Sequence, residues 1–470
     1  MRILPYIVVL AFVACFAGCA PSRPGKLTAR KPVAGAYGDS TLPKWRAFFG
    51  DTTLVNLIDT ALKNNPDLQI ALERTGIAAS ELYASRMAIL PRSDLRVAAG
   101  QRRFGDYTMD GVGNYDTRLS PNITRDQFIP EHLPDLFAGL QSTWEIDIWK
   151  KLRNSRKAAL ERFFQQDDAR RMVVSNLVAA VAATYYELLA LDNELAILDE
   201  FIVLAENAEE IISYQKLAGQ ATELAVRQFV AQTLNSRTLR IEAEQRIVEA
   251  ENRLNYLLGR FPSHVPRQPQ AFNDSLQALP ETIPARLLGN RPDVAQAEHL
   301  LAEAKLNVAV ARASFYPSLS LDAMLGYQTF NPKFFFSPVS LTYNVLGAIA
   351  APLINRSRLQ ADLGIAGSRQ RIAVNEYRKS AVNAYSEVAV ELSAVRRTRE
   401  MRLLKTREAE AASEAVDIAN SLFRTGRATY LEVIITRRNA LLTKLELVKL
   451  RERSLKAAVG LYKALGGGWR

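Results

Sequence analysis

The sequence predicts a mainly α-helical chain with a β-barrel part, built from two copies of one fold. Three observations support this: short motifs that recur in the same order, long runs without glycine or proline, and four segments in which apolar and polar residues alternate. Recurrence indicates an internal repeat, unbroken apolar-periodic runs indicate helices, and alternation indicates strands. We therefore expect four β-strands and long coiled-coil helices in each chain.

The repeat is visible at two spacings. The pairs 226 positions apart are Pro66 with Pro292, Pro91 with Pro317, and Gly100 with Gly326. The pairs 207 positions apart are Leu152 with Leu359, Gly219 with Gly426, and Gly259 with Gly466. The change of spacing places an insertion of about 19 residues in the first half. The two repeats are predicted at 51–260 and 285–465, with a linker over 261–284 and a C-terminal tail over 466–470.

Each repeat is predicted to contain one very long helix. Residues 152–218 lack glycine and proline, and a helix of that length would measure about 100 Å. Its apolar residues recur at steps of three and four, as in Val174, Val178 and Val181, which is typical of a coiled coil. The counterpart is predicted at 368–425, and shorter returning helices are predicted at 220–258 and 427–459. Each repeat also begins with a helix that ends before Pro91 or Pro317, because the residue preceding a proline disfavours the helical conformation.

The alternating segments predict strands near 93–102, 136–148, 318–328 and 341–351, with a long loop over 103–135. Each is about ten residues long, the length of a membrane-spanning β-strand. Four strands are too few to close such a barrel, so several chains must contribute to one barrel. The long helices exceed the thickness of a bilayer and would project from it as a tube. The expected assembly is a conduit.

The N-terminus reads as a signal peptide over residues 1–18. Met1 and Arg2 precede an apolar run that is too short to span a membrane. The run ends in Phe16-Ala17-Gly18-Cys19, which resembles the lipobox of bacterial lipoprotein precursors. Cys19 is therefore the predicted site of lipid (palmitate) attachment, at the start of a lipidated segment over 19–50. Ala20, rather than Asp, follows this cysteine and favours the outer membrane.

Charge and composition exclude other classes of protein. The formal charge is +11, but the charges of both signs are interspersed along helices, so they are read as solvated faces and not as a nucleic-acid surface. The three histidines show no paired spacing, and no catalytic constellation, cofactor site or metal site is predicted. We therefore do not expect an enzyme.

Several motifs resemble the TolC family, and within it the NodT-like lipoprotein subfamily. They are Trp144-Glu-Ile-Asp-Ile-Trp-Lys150, Arg291-Pro-Asp-Val294 and Arg424-Thr-Gly426. The resemblance covers nearly the whole mature chain. It implies a homotrimeric α/β-barrel channel with twelve strands in the outer membrane. It also implies work with a periplasmic adaptor and an inner-membrane pump in the efflux of drugs, toxic compounds or metals. Lys150-Lys151 stands where the family usually has Gly-Arg, and Asn355-Arg-Ser357 replaces a Gly-Gly pair.

The resemblance also assigns roles to residues near the helix ends. Lys216 and Gly219 of the first repeat, with Arg424 and Gly426 of the second, are the expected adaptor-docking tips. The glycines would serve equally as plain helix caps. Asp417 and Glu432 are candidate residues of a periplasmic gate; the alternative is an ordinary solvated helix face. The second position of a double acidic ring is Ile435.

Two other functions stay open at this point. One is a channel for type I protein secretion, although the lipobox favours small-molecule efflux. The other is a lipid-anchored periplasmic coiled-coil scaffold, which would account for the helices but not for two pairs of alternating strands.

Overall fold

The computed structural model describes residues 42–273, 276–277, 290–354 and 356–469. The signal peptide, the predicted lipid site Cys19 and most of the linker beyond Asn273 lie outside these residues. The chain divides into two compact units. The described part of one unit is residues 77–163, 300–354 and 356–373, and that of the other is residues 42–76, 164–273, 276–277, 290–299 and 374–469.

Long helices make up most of the described chain. In chain order the described α-helices, short and long, are α1 Trp45–Phe48, α2 Thr52–Asn64, α3 Pro66–Met87, α4 Met109–Asp116, α5 Lys151–Leu217, α6 Glu223–Leu257, α7 Pro292–Ala313, α8 Arg356–Arg424 and α9 Tyr430–Ala464. Helices α3 and α7 begin at equivalent prolines, which are well tolerated in the first helical turn because their missing N–H has no partner there. In the part of the chain that the structure describes, no helix is long and apolar enough to cross a membrane.

The first unit contains one antiparallel sheet. Its strands are β1 Arg92–Arg103, β2 His132–Ile146, β3 Ser318–Thr329 and β4 Leu341–Ala350, paired in the order β1-β2-β3-β4. Each repeat supplies two neighbouring strands. The four strands lie where the alternation of the sequence predicts them, and β2 begins four residues earlier than expected.

Some predicted helix bounds were wrong. Helix α8 begins at Arg356, not at 368, and contains Gly364 and Gly367. A glycine inside a helix costs only about 1 kcal/mol relative to alanine, which the rest of a 69-residue helix readily outweighs. Helix α9 continues to Ala464 rather than 459, and the returning helices begin at Glu223 and Tyr430 rather than at 220 and 427.

The predicted loop over 103–135 contains a short helix, α4. The helix begins at Met109 and its N-cap is Thr108, whose hydroxyl accepts a hydrogen bond from the Gly111 backbone N–H at 3.1 Å. Two glycines within α4 weaken its helical signal in the sequence, so local pattern did not reveal it.

The core of the second unit includes both ends of the described chain. Trp45, Phe48 and Phe49, within the predicted lipidated segment, are buried, and Phe48 stacks on Tyr462 of α9 with ring centroids 4.2 Å apart. The residues predicted as a C-terminal tail are also packed. The Ser175 hydroxyl of α5 donates to the Gly467 carbonyl at 2.5 Å, and the Arg171 guanidinium lies 4.9 Å from the Trp469 ring centre. Residues 467 and 469 of the predicted C-terminal tail therefore contact α5.

Candidate functional site

One face of the four-stranded sheet is apolar and exposed. Strand register places Leu95, Leu140, Leu325 and Tyr343 in a single row across all four strands. These four side chains are exposed, and their neighbours on the same face are exposed or half-buried, with Val345 at 64% exposure. Exposing so large a contiguous apolar surface to water is unfavourable. Such a surface is typical of a site that contacts lipid or another protein.

The opposite face is polar. Arg92, Asp94, Arg96 and Arg102 project from β1 on this side, and Glu145 and Asp322 do so from β2 and β3, as the period of two requires. Phe137 is a buried aromatic on this face, where its ring lies over Gly139. A sheet with one apolar and one polar face matches the wall of a water-filled barrel set in lipid.

Two edges of the sheet are open. Within the described residues, β1 and β4 each pair with one strand only. An open edge presents unpaired backbone N–H and C=O groups, and such groups are not tolerated in the hydrocarbon of a bilayer. The sheet is therefore complete only when another strand pairs with each edge.

The strand–helix junction that follows β2 is fixed by aromatic contacts. Trp144 Nε1 donates to the Ile89 carbonyl at 3.0 Å, and Trp149 Nε1 donates to the Pro317 carbonyl at 2.8 Å. Trp149 also stacks on Tyr316, with ring centroids 4.6 Å apart. Lys150 has φ +62°, a left-handed conformation that favours glycine. This departure from the family pattern thus has a structural consequence.

The two predicted tips have the same turn. Gly219 and Gly426 both have φ +73°, and nothing lies within 4 Å of where a Cβ would stand. Gly219 N–H donates to the Lys216 carbonyl at 2.9 Å and Gly426 N–H to the Phe423 carbonyl at 3.0 Å. Together with the bonds from Gln220 N–H to the Gln215 carbonyl at 2.8 Å and from Arg427 N–H to the Leu422 carbonyl at 2.9 Å, these form the Schellman turn that ends many helices. The glycines serve backbone conformation, not close packing.

Both helices that return from the tips have a threonine N-cap, Thr222 or Thr429, but the acidic residues of their first turns are bound differently. In the first repeat, Glu223 is bound by Lys216 and, at 2.7 Å, by Arg227. Hydrogen bonds from the Lys216 side chain lower the pKa of Glu223. In the second repeat, Glu432 accepts bonds from the backbone N–H of Thr429 at 2.6 Å and from its hydroxyl at 2.8 Å. These bonds lower the pKa of Glu432, led by the backbone donor. The candidate gate residue Glu432 is thus part of a capping box.

An apolar cluster joins the two tips. Phe423, Tyr430 and Ile434 pack against Ile212, Ala225 and Phe229. Around it, apolar side chains point outward, including Leu217 at 83% exposure and Leu224. Sequence reasoning did not single out Leu217 and Leu224; their signal was an apolar side chain at a helix end beside a glycine turn. Lys216, Gly219, Arg424 and Gly426 are all exposed.

The other gate candidate, Asp417, is exposed and lines a groove between α5, α6, α8 and α9. Arg437 lines the same groove and was not singled out from the sequence. It donates to the Asn420 side-chain oxygen at 2.9 Å and to the Leu204 carbonyl at 3.3 Å, and burial lowers its pKa. Arg437 thereby links α9 to both α5 and α8.

An amphipathic sheet with two open edges, on a chain of long coiled-coil helices, defines a subunit of a composite membrane channel. The model of the family described as outer membrane efflux protein matches residues 57–260 and 283–467. The chain belongs to this family.

Individual relatives match over nearly their whole length. The chain is 31% identical to the solvent efflux pump outer membrane protein SrpC of Pseudomonas putida, covering 96% of this chain and 94% of that protein. It is 27% identical to the cation efflux system protein CusC of Escherichia coli O6:H1, covering 100% and 99%. A crystal structure of CusC superposes with a TM-score of 0.81 at 25% identity, covering 94% of this chain and 99% of that chain. The fold class predicted from the sequence is confirmed.

Proposed function

We propose that three copies of this chain form the outer-membrane channel of a tripartite efflux system that exports small molecules across the periplasm and outer membrane. The apolar sheet face with two open edges carries this proposal. Three such sheets, joined β4 to β1 of the next copy, make a twelve-stranded barrel with no free edge. The names of SrpC and CusC refer to solvents and cations, which supports small solutes over secreted proteins as cargo.

The orientation of the sheet is tested by two neighbouring residues of β4. Val345 lies on the apolar face and Asn344 on the polar face. Val345→Lys should prevent stable trimers, because a lysine in contact with lipid near the bilayer centre costs about 2–4 kcal/mol per copy. Asn344→Lys, its matched control, should assemble and conduct ions. The measurements are the mass of the detergent-solubilised protein and its current in planar bilayers. Monomers without current from the unaltered protein would overturn the proposal.

The proposed partners are a periplasmic adaptor at the helix tips and, beyond it, an inner-membrane pump. The exposed apolar side chains around the joined tips and the exposed cation Arg424 support docking there. Arg424→Glu should weaken adaptor binding at least tenfold, since like or mismatched charges in an interface cost several kcal/mol. Arg407→Glu, the same change on the same helix away from the tip, is the control. Equal binding by both variants, measured by titration calorimetry, would exclude Arg424 from the interface.

Glu432 and Asp417 remain proposed gate residues. Glutamine can take the place of glutamate in a capping box, so Glu432→Gln removes the charge and keeps the turn. If the charge gates the channel, Glu432→Gln and Asp417→Asn should each change conductance or cation preference. If only Glu432→Ala does so, the cap and not the charge is responsible.

Attachment by lipid at Cys19 is likewise proposed. Mass spectrometry of the mature N-terminus tests it, with Cys19→Ala as the variant that should lose the acyl mass. An unmodified mature chain beginning at another residue would exclude the anchor.

A further inference from the structure

The charges on the polar face of the sheet are not evenly neutralised. Arg92 contacts Asp94 at 3.0 Å, and Arg102 lies 3.9 Å from Asp135. Arg96 lies between these pairs on the same strand and the same face. Its hydrogen bond is a long one, 3.4 Å to the Gln141 side-chain oxygen. Arg96 therefore contributes a cation whose nearest hydrogen-bonding partner is uncharged.

The row of the sheet that contains Arg96 has small side chains. Register places it beside Gly139, Gly326 and Thr342. Gly139 and Gly326 are so close that a Cβ on either would lie 2.5 Å from the Cα of the other. In this row only Arg96 extends far from the wall, so its guanidinium is the group that meets a solute at this level.

A neighbouring copy does not supply a missing carboxylate. In the proposed barrel β1 pairs with β4 of the next copy, and β4, Leu341–Ala350, contains no charged residue. The nearest acid along β1, Asp94, is bound to Arg92. Asp322 lies four residues from Gly326 along β3, about 13 Å at 3.3 Å per residue. That distance exceeds the roughly 8 Å Debye length of physiological salt, and Arg92 shares the row of Asp322.

We propose that Arg96 forms a ring of three cations in the barrel lumen and sets a preference for anionic over cationic solutes. This inference rests on the proposed function, because it requires three copies with their polar faces inward. A ring of fixed charge in a water-filled pore raises the local concentration of ions of the opposite sign. Solutes bearing carboxylate, phosphate or sulfonate groups are the class that would be favoured at this level.

The experiment measures the chloride-to-potassium permeability ratio from reversal potentials in planar bilayers, under a KCl gradient centred on physiological ionic strength. Arg96→Gln should lower the ratio about twofold and Arg96→Glu further, because each copy loses or reverses a unit charge near the ion path. Arg96→Lys should keep the ratio. Arg103→Gln is the matched control: the residue is on the same strand but the opposite face and is bound to Glu131 at 2.8 Å. It should leave the ratio unchanged.

The outcomes separate this inference from the channel itself. Normal conductance with an unchanged ratio in both Arg96→Gln and Arg96→Glu would overturn the selectivity role and leave the channel intact. An equal fall in Arg103→Gln would also overturn it, since the effect would not depend on the polar face. Absence of current from the unaltered protein would reject the channel and the inference together.

Discussion

The two repeats have the same backbone plan but hold it with different side chains. Asn65 and Arg291 occupy equivalent positions before α3 and α7. The Asn65 amide donates to the Leu257 carbonyl at 3.0 Å, and the Arg291 guanidinium donates to the Ala464 carbonyl at 2.8 Å. Leu257 and Ala464 are themselves equivalent, 207 positions apart. In the first repeat a neutral amide thus connects the end of α6 to the start of α3. In the second repeat a buried cation connects the end of α9 to the start of α7.

The cation adds contacts that the amide lacks. Arg291 also binds Asp293 at 2.8 Å and Glu387 at 2.6 Å, which brings α8 into the same joint. In both repeats the same backbone carbonyl, that of Leu257 or Ala464, accepts a side-chain hydrogen bond. The side chain that donates this bond differs between the repeats. At the tips the capping group is kept instead: the equivalent threonines Thr222 and Thr429 each accept a backbone N–H with the side chain, and only the acidic residues beside them differ in their partners.

The largest expected effect comes from breaking these two joints. Arg291→Ala should lower the free energy of unfolding by about 3–5 kcal/mol, because it leaves partly buried carboxylates without their cation. Asn65→Ala should cost about 1–3 kcal/mol, because it leaves the Leu257 carbonyl unsatisfied and removes the side-chain oxygen that accepts from the Leu68 backbone N–H. Chemical denaturation in detergent micelles measures both. A loss in Arg291→Ala no larger than the about 1–3 kcal/mol of one unsatisfied carbonyl would show that its ion pairs with Asp293 and Glu387 add nothing to stability.

A buried acid provides the second difference between the repeats. Asp168 on α5 is buried, and its equivalent in the second repeat is the exposed Asn375. Asp168 contacts Arg171 at 3.0 Å and lies 3.7 Å from His299 Nε2. Burial raises the pKa of Asp168 to about 6 despite these neighbours.

This raised pKa predicts a pH dependence of stability. The folded state binds more protons than the unfolded state between about pH 4 and pH 6, so stability from this group is present below pH 4 and is lost as pH rises through 6. The loss is at most about 3 kcal/mol. Asp168→Asn should remove this pH dependence of stability. Asn375→Asp, at the exposed equivalent position, should not create a similar pH dependence. The prediction would be contradicted if the free energy of unfolding changed between pH 4 and pH 7 by the same amount in Asp168→Asn and in the unaltered protein.

The smallest effect concerns the junction after β2. Lys150 adopts φ +62° at an exposed position, so Lys150→Gly should raise the free energy of unfolding by about 0.5–1 kcal/mol by relieving left-handed strain. Lys151→Gly should lower it instead, because Lys151 begins α5 and binds Glu145 at 2.8 Å. Thermal unfolding measures both changes. A loss of stability in Lys150→Gly would mean that its side chain makes a contact worth more than the strain.

Much of the fold follows from local pattern. The period of two placed β3 and β4 within about two residues, and the glycine turns were found at Gly219 and Gly426 because a positive φ strongly favours that residue. The start of α8 could not be found this way, because Gly364 and Gly367 lower the local helical preference although the 69-residue helix contains them. The docking and gate candidates came from the family resemblance, and their roles remain predictions.

The sequence by itself determined the repeat, the strand faces and the turns, because each depends on residues a few positions apart. Only the tertiary structure decided which groups far apart in the chain satisfy one another, such as Arg437 with the Leu204 carbonyl, 233 positions away. It also decided that the charge of Arg96 is left without a carboxylate while that of Arg92 is not. Such pairings depend on strand register and helix packing, which bring together residues that are far apart in the chain. The residues on either side of each partner in the sequence do not indicate the pairing.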